Sequence, residues 1–270
     1  MEYEIKPSEK LRLGFNELVK YRELLYFFVW RDLKVKYKQT FLGVLWVVLQ
    51  PLVLMAVFTI FLGDKLKSDL GKVDYPIFIL SGFLCWNIFS SAINNAGNSM
   101  VANAGIIKKI YFPRLIIPVS SVLGSFVDFF IGLFFYVGAL LFFKPELEAL
   151  KLLFVPVSLI LVFFAALGLG TLISALSVKY RDFRYLLPFF VQALLFVSPV
   201  LWTQNKHSET IQIIFSFNPM YAPLELFRAH LSGYEINLTL ILISLSSNLM
   251  LFFCGIFIFR KTERYFADLA

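Results

Sequence analysis

Arg31, Lys34, Lys36 and Lys38 stand within eight residues of one another, and no charge occurs from Phe41 to Leu62. Cations that run directly into an uncharged apolar stretch mark a cytoplasmic membrane surface, with the apolar run entering lipid. Farther along, Asn87, Ser91, Asn94 and Asn98 recur at spacings of four, three and four, with Ser90, Asn95 and Ser99 beside them. On a helix these amides and hydroxyls form one polar stripe. Lipid offers such a stripe no hydrogen bonds, so it turns to the bundle interior, either as interhelical bonding or as the wall of a path for a hydroxyl-rich substrate. Asp128 is the one ionisable side chain deep within an apolar segment, a placement that costs about 2.5 to 3.5 kcal/mol on the insertion scale. It needs a partner or a proton. With no second acid, His or Lys in mid-span to relay to, it reads as a structural acid hydrogen-bonded to a neighbouring helix.

Catalytic residues are not expected. The sequence contains no GxxxxGK[ST] phosphate loop, no HExxH and no paired-cysteine metal motif, and its two histidines, His207 and His230, fall in one segment and read as surface residues. Cys85 and Cys254 lie at different depths of their spans and read as small buried apolar residues rather than a disulfide. No segment outside the apolar runs is long enough for a nucleotide- or sugar-binding domain, so an energy source must come from another chain.

The elements that position these residues follow from hydropathy. Of 270 residues 59% are hydrophobic and 16% charged, with mean hydropathy +0.76, which a soluble fold could not bury. The chain reads as an all-α integral membrane protein with no cleavable leader. Six spans are expected: Leu42 to Leu62, Tyr75 to Val101, Leu115 to Phe143, Leu152 to Val178, Tyr185 to Trp202 and Ile236 to Phe259. With both termini cytoplasmic, 18 of the 25 Lys and Arg fall inside and 7 outside, as the positive-inside rule requires. The net charge of +7 therefore belongs to span ends and lipid headgroups, not to a nucleic-acid surface.

Residues 1–41 form a cytoplasmic region in which Leu11, Leu18, Leu25 and Phe28 recur at helical spacing, the pattern of an amphipathic helix in the interface plane. Residues 42–260 form the transmembrane domain and 261–270 a cytoplasmic tail. Within the domain, 203–235 reads as a re-entrant external hairpin of two short helices joined at Asn218-Pro219; a seventh span would place Arg260, Lys261 and Arg264 outside. Trp46, Trp86 and Trp202 are expected near span ends, where amphipathic rings lie. Two short, basic, aromatic-rich cytoplasmic loops, Gly105 to Arg114 and Ser177 to Tyr185, suit docking to another protein. In the first, Ile106, Ile107, Ile110 and Tyr111 would fill a partner's pocket while Lys108 and Lys109 meet acidic groups or lipid phosphates, and Pro113 stops the helix.

The segments WRDLKVKYKQTFLGVLWVVLQPL, IIKKIYFPR, VKYRDF, SPVLW and FNPMYAPLELFR, spread from about Val29 to Arg228, resemble the membrane subunits of ABC-2 type exporters. The likeness is to the polysaccharide group that moves O-antigen or teichoic acid chains across the bacterial inner membrane. The resemblance implies a homodimer paired with two ATP-binding subunits, which would hold ATP and Mg; no cofactor is expected in this chain. A lipid-linked glycan would pass between the two membrane halves. Gly105 to Arg114 would be the coupling helix seated in the ATPase, and the hairpin would form the external gate with Trp202, Asn218 and Pro219, Trp202 standing where the family pattern has Tyr. The pyrophosphate of a polyprenyl-linked glycan would favour the cationic rim at Arg31, Lys34, Lys36 and Lys38. Other readings are an ABC-2 exporter of drugs or small lipids, a membrane-embedded enzyme acting on lipid-linked sugars through Asp128 and the Asn stripe, and a structural scaffold.

Overall fold

The computed structural model describes residues 15–38, 40–66, 73–203 and 208–263. Among them the regular elements are helices: α1 (Phe15–Lys20), α2 (Arg22–Tyr37), α3 (Leu45–Leu66), α4 (Tyr75–Ala102), α5 (Ala104–Ile107), α6 (Ile116–Phe143), α7 (Phe154–Lys179), α8 (Asp182–Val197), α9 (Glu209–Ser216), α10 (Tyr221–Arg228) and α11 (Leu238–Glu263). A 3-10 turn, Ala149–Leu153, leads into α7. Hydrocarbon cannot hydrogen-bond the backbone, so an apolar segment must close its amide bonds internally, and the helix does so.

Among the described residues five helices are long and apolar enough to cross a membrane: Leu45–Gly63, Tyr75–Ala102, Ile116–Phe143, Ala149–Lys179 and Leu238–Glu263. Their bounds follow the expected spans within a few residues. The expected fifth span does not form a full-length helix. α8 has 16 residues, about 24 Å at 1.5 Å per residue against hydrocarbon about 30 Å thick. Pro199 is the cause: a residue before proline is pushed out of the α region, and Ser198 is extended at φ −86° and ψ 145°.

α4 is the hub. Of its apolar stretch 78% is buried, against 11% for α3, and it packs on α3, α6, α7, α8 and α10. Between apolar helices in lipid there is no hydrophobic drive, so close approach at small residues supplies the dispersion contact instead. A Cβ on Gly255 would collide with the carbonyl oxygen of Gly168, and one on Gly168 would lie 2.7 Å from Phe252 Cα, so α7 and α11 touch backbone to backbone. Trp86 belongs to this interior: it lies mid-helix on α4, 5% exposed, its ring 5.4 Å from Phe89, and is not a residue of the membrane rim. Of the cysteines, both free, Cys85 is buried as expected but Cys254 is exposed on α11.

Contacts at the two ends of α4 sort the connections. At its C-terminal end, Arg31 Nη2 donates to Asn103 Oδ1 at 2.8 Å, Phe28 meets Phe112 at 5.7 Å between centroids, and Arg114 bonds Glu263 at the end of α11. At its N-terminal end, Phe78 meets Tyr234. There too the α6–α7 connection pairs with the end of the hairpin, Glu148 N to His230 O at 2.9 Å and Ser232 N to Glu146 O at 2.8 Å. α8 and the turn after it run along α4, since a Cβ on Gly97 would meet Leu187 of α8 and one on Gly82 would meet Val200 beyond it.

The N-terminal region departs from a clean two-faced helix. Tyr21 breaks it into α1 and α2. Leu18, Leu25 and Phe28 pack against the chain's own core, whereas Tyr26, Phe27 and Trp30 are exposed on the rest of α2, so apolar side chains point both ways. Leu11 lies outside the described residues.

Substitution of Gly255 by Ala should force α7 and α11 apart at a cost of about 1 to 3 kcal/mol. The thermal midpoint of the detergent-solubilised protein should fall accordingly. Gly124→Ala and Gly138→Ala, where nothing lies within 4 Å of an added Cβ, should leave it unchanged.

Candidate functional site

α2 ends against the middle of α6, and this junction brings together residues that the sequence keeps far apart. Lys36 Nζ donates to Asp128 Oδ2 and Tyr37 Oη donates to Asp128 Oδ1. The acid has its partner on a neighbouring helix, as its cost of burial demanded, but the partner is a lysine of the cationic cluster itself. Asp128 is 8% exposed, while the Lys36 side chain keeps 45% exposure. Burial first, then the bond to Asp128 and its negative charge, hold the Tyr37 phenol well above its ordinary value, so it stays a donor.

Two recesses meet at this pair. One, of about 700 Å³, lies between α2, α4 and α6 and is lined by Arg31, Asn94, Asn95, Asn98 and Asn103 together with Lys36 and Asp128. The other, of about 180 Å³, lies between α3, α4 and α6 and is lined by Gln50, Asn87, Ser90, Ser91 and Ser125, again with Lys36 and Asp128. The polar stripe of α4 thus runs through both. Asn94 and Asn98 turn Nδ2 back to the carbonyls of Ser90 (2.8 Å) and Asn94 (3.0 Å) on their own helix. Asn95 Nδ2 donates to Ser125 Oγ of α6 at 3.2 Å, and Ser91 and Ser125 hydroxyls pair at 3.3 Å. Part of the stripe bonds α6, and part of it lines open space. Asn87 and Gln50 carry amides that face the smaller recess with no hydrogen-bond partner among the described residues.

Of the cationic cluster, Arg31 and Lys36 line the groove, Arg31 also pairing with Asp32 at 2.6 Å. Lys34 and Lys38 are exposed and lie outside its lining. In the basic loop the helix is a single turn, α5. Ile107 is buried in the chain's own core and Ile106 packs against it, so neither is free to enter a partner's pocket. Ile110 and Tyr111 are 62% and 89% exposed, and Lys108 and Lys109 are exposed beside them.

The hairpin forms two eight-residue helices, α9 and α10. Its turn is wedged between α7 and α11. Asn218 Nδ2 donates to Ser198 Oγ at 2.8 Å, and Asn218 O accepts from Ser244 Oγ at 2.9 Å. Asn248 Nδ2 reaches Pro219 O at 3.2 Å and Leu161 O at 3.0 Å, and Ser158 Oγ reaches Pro223 O at 2.7 Å. Asn248 lies ten residues into α11, about 15 Å along it, so the turn descends well into the bundle with its irregular backbone satisfied by side chains. Trp202 donates to Phe196 O at 3.2 Å and stacks near Phe215, 4.8 Å between centroids.

Arg228 and His230 were not legible as part of this. Arg228 is wholly buried; it donates to Pro199 O, Val200 O (2.8 Å), Phe78 O (3.2 Å) and Ser81 Oγ (3.2 Å), with its guanidinium 3.7 Å from the Phe78 ring centroid. His230, expected at the surface, is 1% exposed and sits between Phe227 O (2.7 Å) and Tyr136 Oη (3.2 Å). A charged or polar residue reads as surface by type; here irregular backbone at the end of α8 supplies the acceptors that burial of a cation requires. His207 lies outside the described residues. Among those residues no three His, Cys, Asp or Glu side chains converge as a metal site would.

Replacing Arg228 with Met should strip the carbonyls of Pro199 and Val200 of their donor, each at a cost of about 1 to 3 kcal/mol, and release the end of α8 from α4. We expect a lowered thermal midpoint together with faster proteolysis between α8 and α10. Gly82→Ala, whose Cβ would collide with the Arg228 guanidinium, should do the same through its neighbour.

Comparison with known proteins follows the same lines. The chain is 26% identical over 239 residues to the O-antigen export system permease protein RfbA of Klebsiella pneumoniae, covering 88% of this chain and 92% of that protein. To the protein of the same name from Myxococcus xanthus it is 24% identical over 217 residues, 79% of this chain and 82% of the relative. To the polysialic acid transport protein KpsM of Escherichia coli it is 21% identical over 213 residues, 76% and 80% of the two. The ABC-2 type transporter family profile matches residues 23–231, and the chain belongs to that family.

Proposed function

We propose that this chain is the membrane subunit of an ATP-driven exporter that moves a lipid-linked polysaccharide, O-antigen-like in kind, across the bacterial inner membrane. The observation that carries this reading is the groove: amides and hydroxyls of α4 and α6 recur along it among apolar side chains, with Arg31 and Lys36 at its α2 rim. Sugars offer hydroxyls to amides, and a lipid diphosphate offers charge to Arg and Lys. An embedded enzyme would want a free acid, and Asp128 is engaged by Lys36 and Tyr37.

In this reading the chain crosses six times with both termini cytoplasmic, α8 and its extended turn making the fifth crossing. The exposed aromatic rings of α2 lie at headgroup level, and the hairpin is re-entrant, closing the external side with Trp202, Asn218 and Pro219. Two copies form the conduit. ATP and Mg belong to two copies of an ATP-binding partner, which seats on Ile110, Tyr111, Lys108 and Lys109, the exposed part of the basic loop. Ile107 and Ile106 act beneath it as the loop's attachment to the bundle.

Tyr111→Ala with Ile110→Asp should lower surface glycan at least tenfold in cells that also carry the ATP-binding partner and the glycan synthesis enzymes, at unchanged protein level. ATP hydrolysis by the reconstituted complex should rise with polyprenyl-linked glycan. Stimulation by hydrophobic compounds and not by glycan would contradict the reading in favour of the drug or small-lipid class, and turnover of lipid-linked sugar by the purified chain alone would favour the enzyme.

A further inference from the structure

The basic loop leaves the bundle at Ile107 and returns to it at Phe112, both buried. Its outgoing limb is held by backbone bonds, Lys108 N to Ala104 O at 3.2 Å, and Lys109 N and Ile110 N to Ile106 O at 3.0 and 3.1 Å. The returning limb is built otherwise. Neither Tyr111 nor Phe112 donates a backbone-to-backbone bond among the described residues, and Pro113 has no N–H to donate. What fixes this limb is a pair of side-chain anchors: the Phe112 ring against Phe28 of α2, and Arg114 against Glu263 of α11.

The second anchor is reciprocal. Glu263 Oε1 accepts from Arg114 N at 3.1 Å, at the turn that opens α6, whose N-cap residue Leu115 offers no side-chain cap. In return Arg114 Nη1 donates to Glu263 O, in the last turn of α11. A carboxylate is favoured beside a helix N-terminus and a cation beside a C-terminus, so each side chain serves the other's helix end. Arg260 Nη1 holds Oε2 of the same carboxylate at 2.7 Å, the two side chains 12% and 20% exposed. Arg114 also lines, with Lys108 and Lys109, the loop's own recess of about 290 Å³. The residue that Glu263 fixes therefore belongs to the surface the loop presents.

We propose that Glu263 is a positioning residue for docking of the ATP-binding partner: through Arg114 it sets the direction in which the returning limb carries Tyr111 and the loop's cations. The inference rests on the reading of that loop as the partner's seat. Phe112 precedes a proline and is thereby disfavoured in the α region, and Pro113 has a fixed φ, so the limb is a short stiff strut between two anchors. With Arg114 released, one ring contact is left to hold it. The expected loss is of partner affinity and not of the fold, because the buried side chains on either side of the strut, Ile107, Leu115 and Ile116, keep their packing.

Full-length protein carrying Tyr111→Cys and Cys254→Ser is spin-labelled in detergent, buried Cys85 staying unlabelled, and label mobility is read from the continuous-wave spectrum. Glu263→Ala and Glu263→Lys should raise the mobile fraction at least threefold. Glu263→Gln keeps an acceptor oxygen for Arg114 N and should stay within twofold of the parent. A label placed instead at exposed Tyr185, near the start of α8, should not respond to any of the three. Unchanged mobility at position 111, or an equal rise at 185 as general loosening would give, would overturn the proposal. The second arm is co-purification of the ATP-binding subunit with the unlabelled chain, where Glu263→Ala should retain at least threefold less partner and Glu263→Gln should retain it. Full retention in Glu263→Ala, where Tyr111→Ala with Ile110→Asp loses the partner, would overturn the proposal and leave the seat standing. Retention in both would contradict the seat itself, and the proposal with it.

Discussion

Hydrocarbon withholds two things that water supplies to a soluble protein: hydrogen bonds for polar groups, and a drive that presses apolar surfaces together. Each polar side chain within the bundle therefore needs a protein partner or an internal cavity. The architecture answers with paired solutions at the two ends of α4. At one end Arg228 gathers backbone carbonyls of α4 and of the segment after α8; at the other, Arg31 and Asn103 join α2 to α4, and Arg114 joins the basic loop to α11. Between them, close-packed glycines let α7 and α11 meet.

α2 connects these local solutions to function. Phe28 packs on Phe112 in the basic loop, Arg31 bonds Asn103, and Lys36 and Tyr37 hold Asp128. One helix thus touches the loop proposed to receive the ATP-binding partner, the rim of the groove and the buried acid of α6.

Much of this was legible before any coordinates. Long apolar runs such as Ile116–Phe143 have one structural solution in lipid, and the period of Asn87, Ser91, Asn94 and Asn98 places them on one face of α4 whatever surrounds it. The cost of burying Asp128 demanded a partner. What could not be read was which partner: Lys36 is 92 residues away, and nothing local to either residue names the other. His230 was misjudged for the same reason, since its partner Tyr136 lies 94 residues away; the role of Arg228 was hidden because two of its acceptors, Pro199 O and Val200 O, follow the end of α8. Ile107 shows the limit of type-based reading in the other direction, an apolar loop residue that folds back into its own core while Ile110 and Tyr111 face outward.

Contact between groove and cargo is the most direct test of the account. A photo-crosslinking residue at position 98, within the groove, and another at position 134, where Phe134 is 76% exposed on α6, would be compared in cells exporting labelled glycan. Covalent glycan at position 98 but not at 134 is the outcome predicted. Glycan captured at 134 and absent from 98 would contradict it.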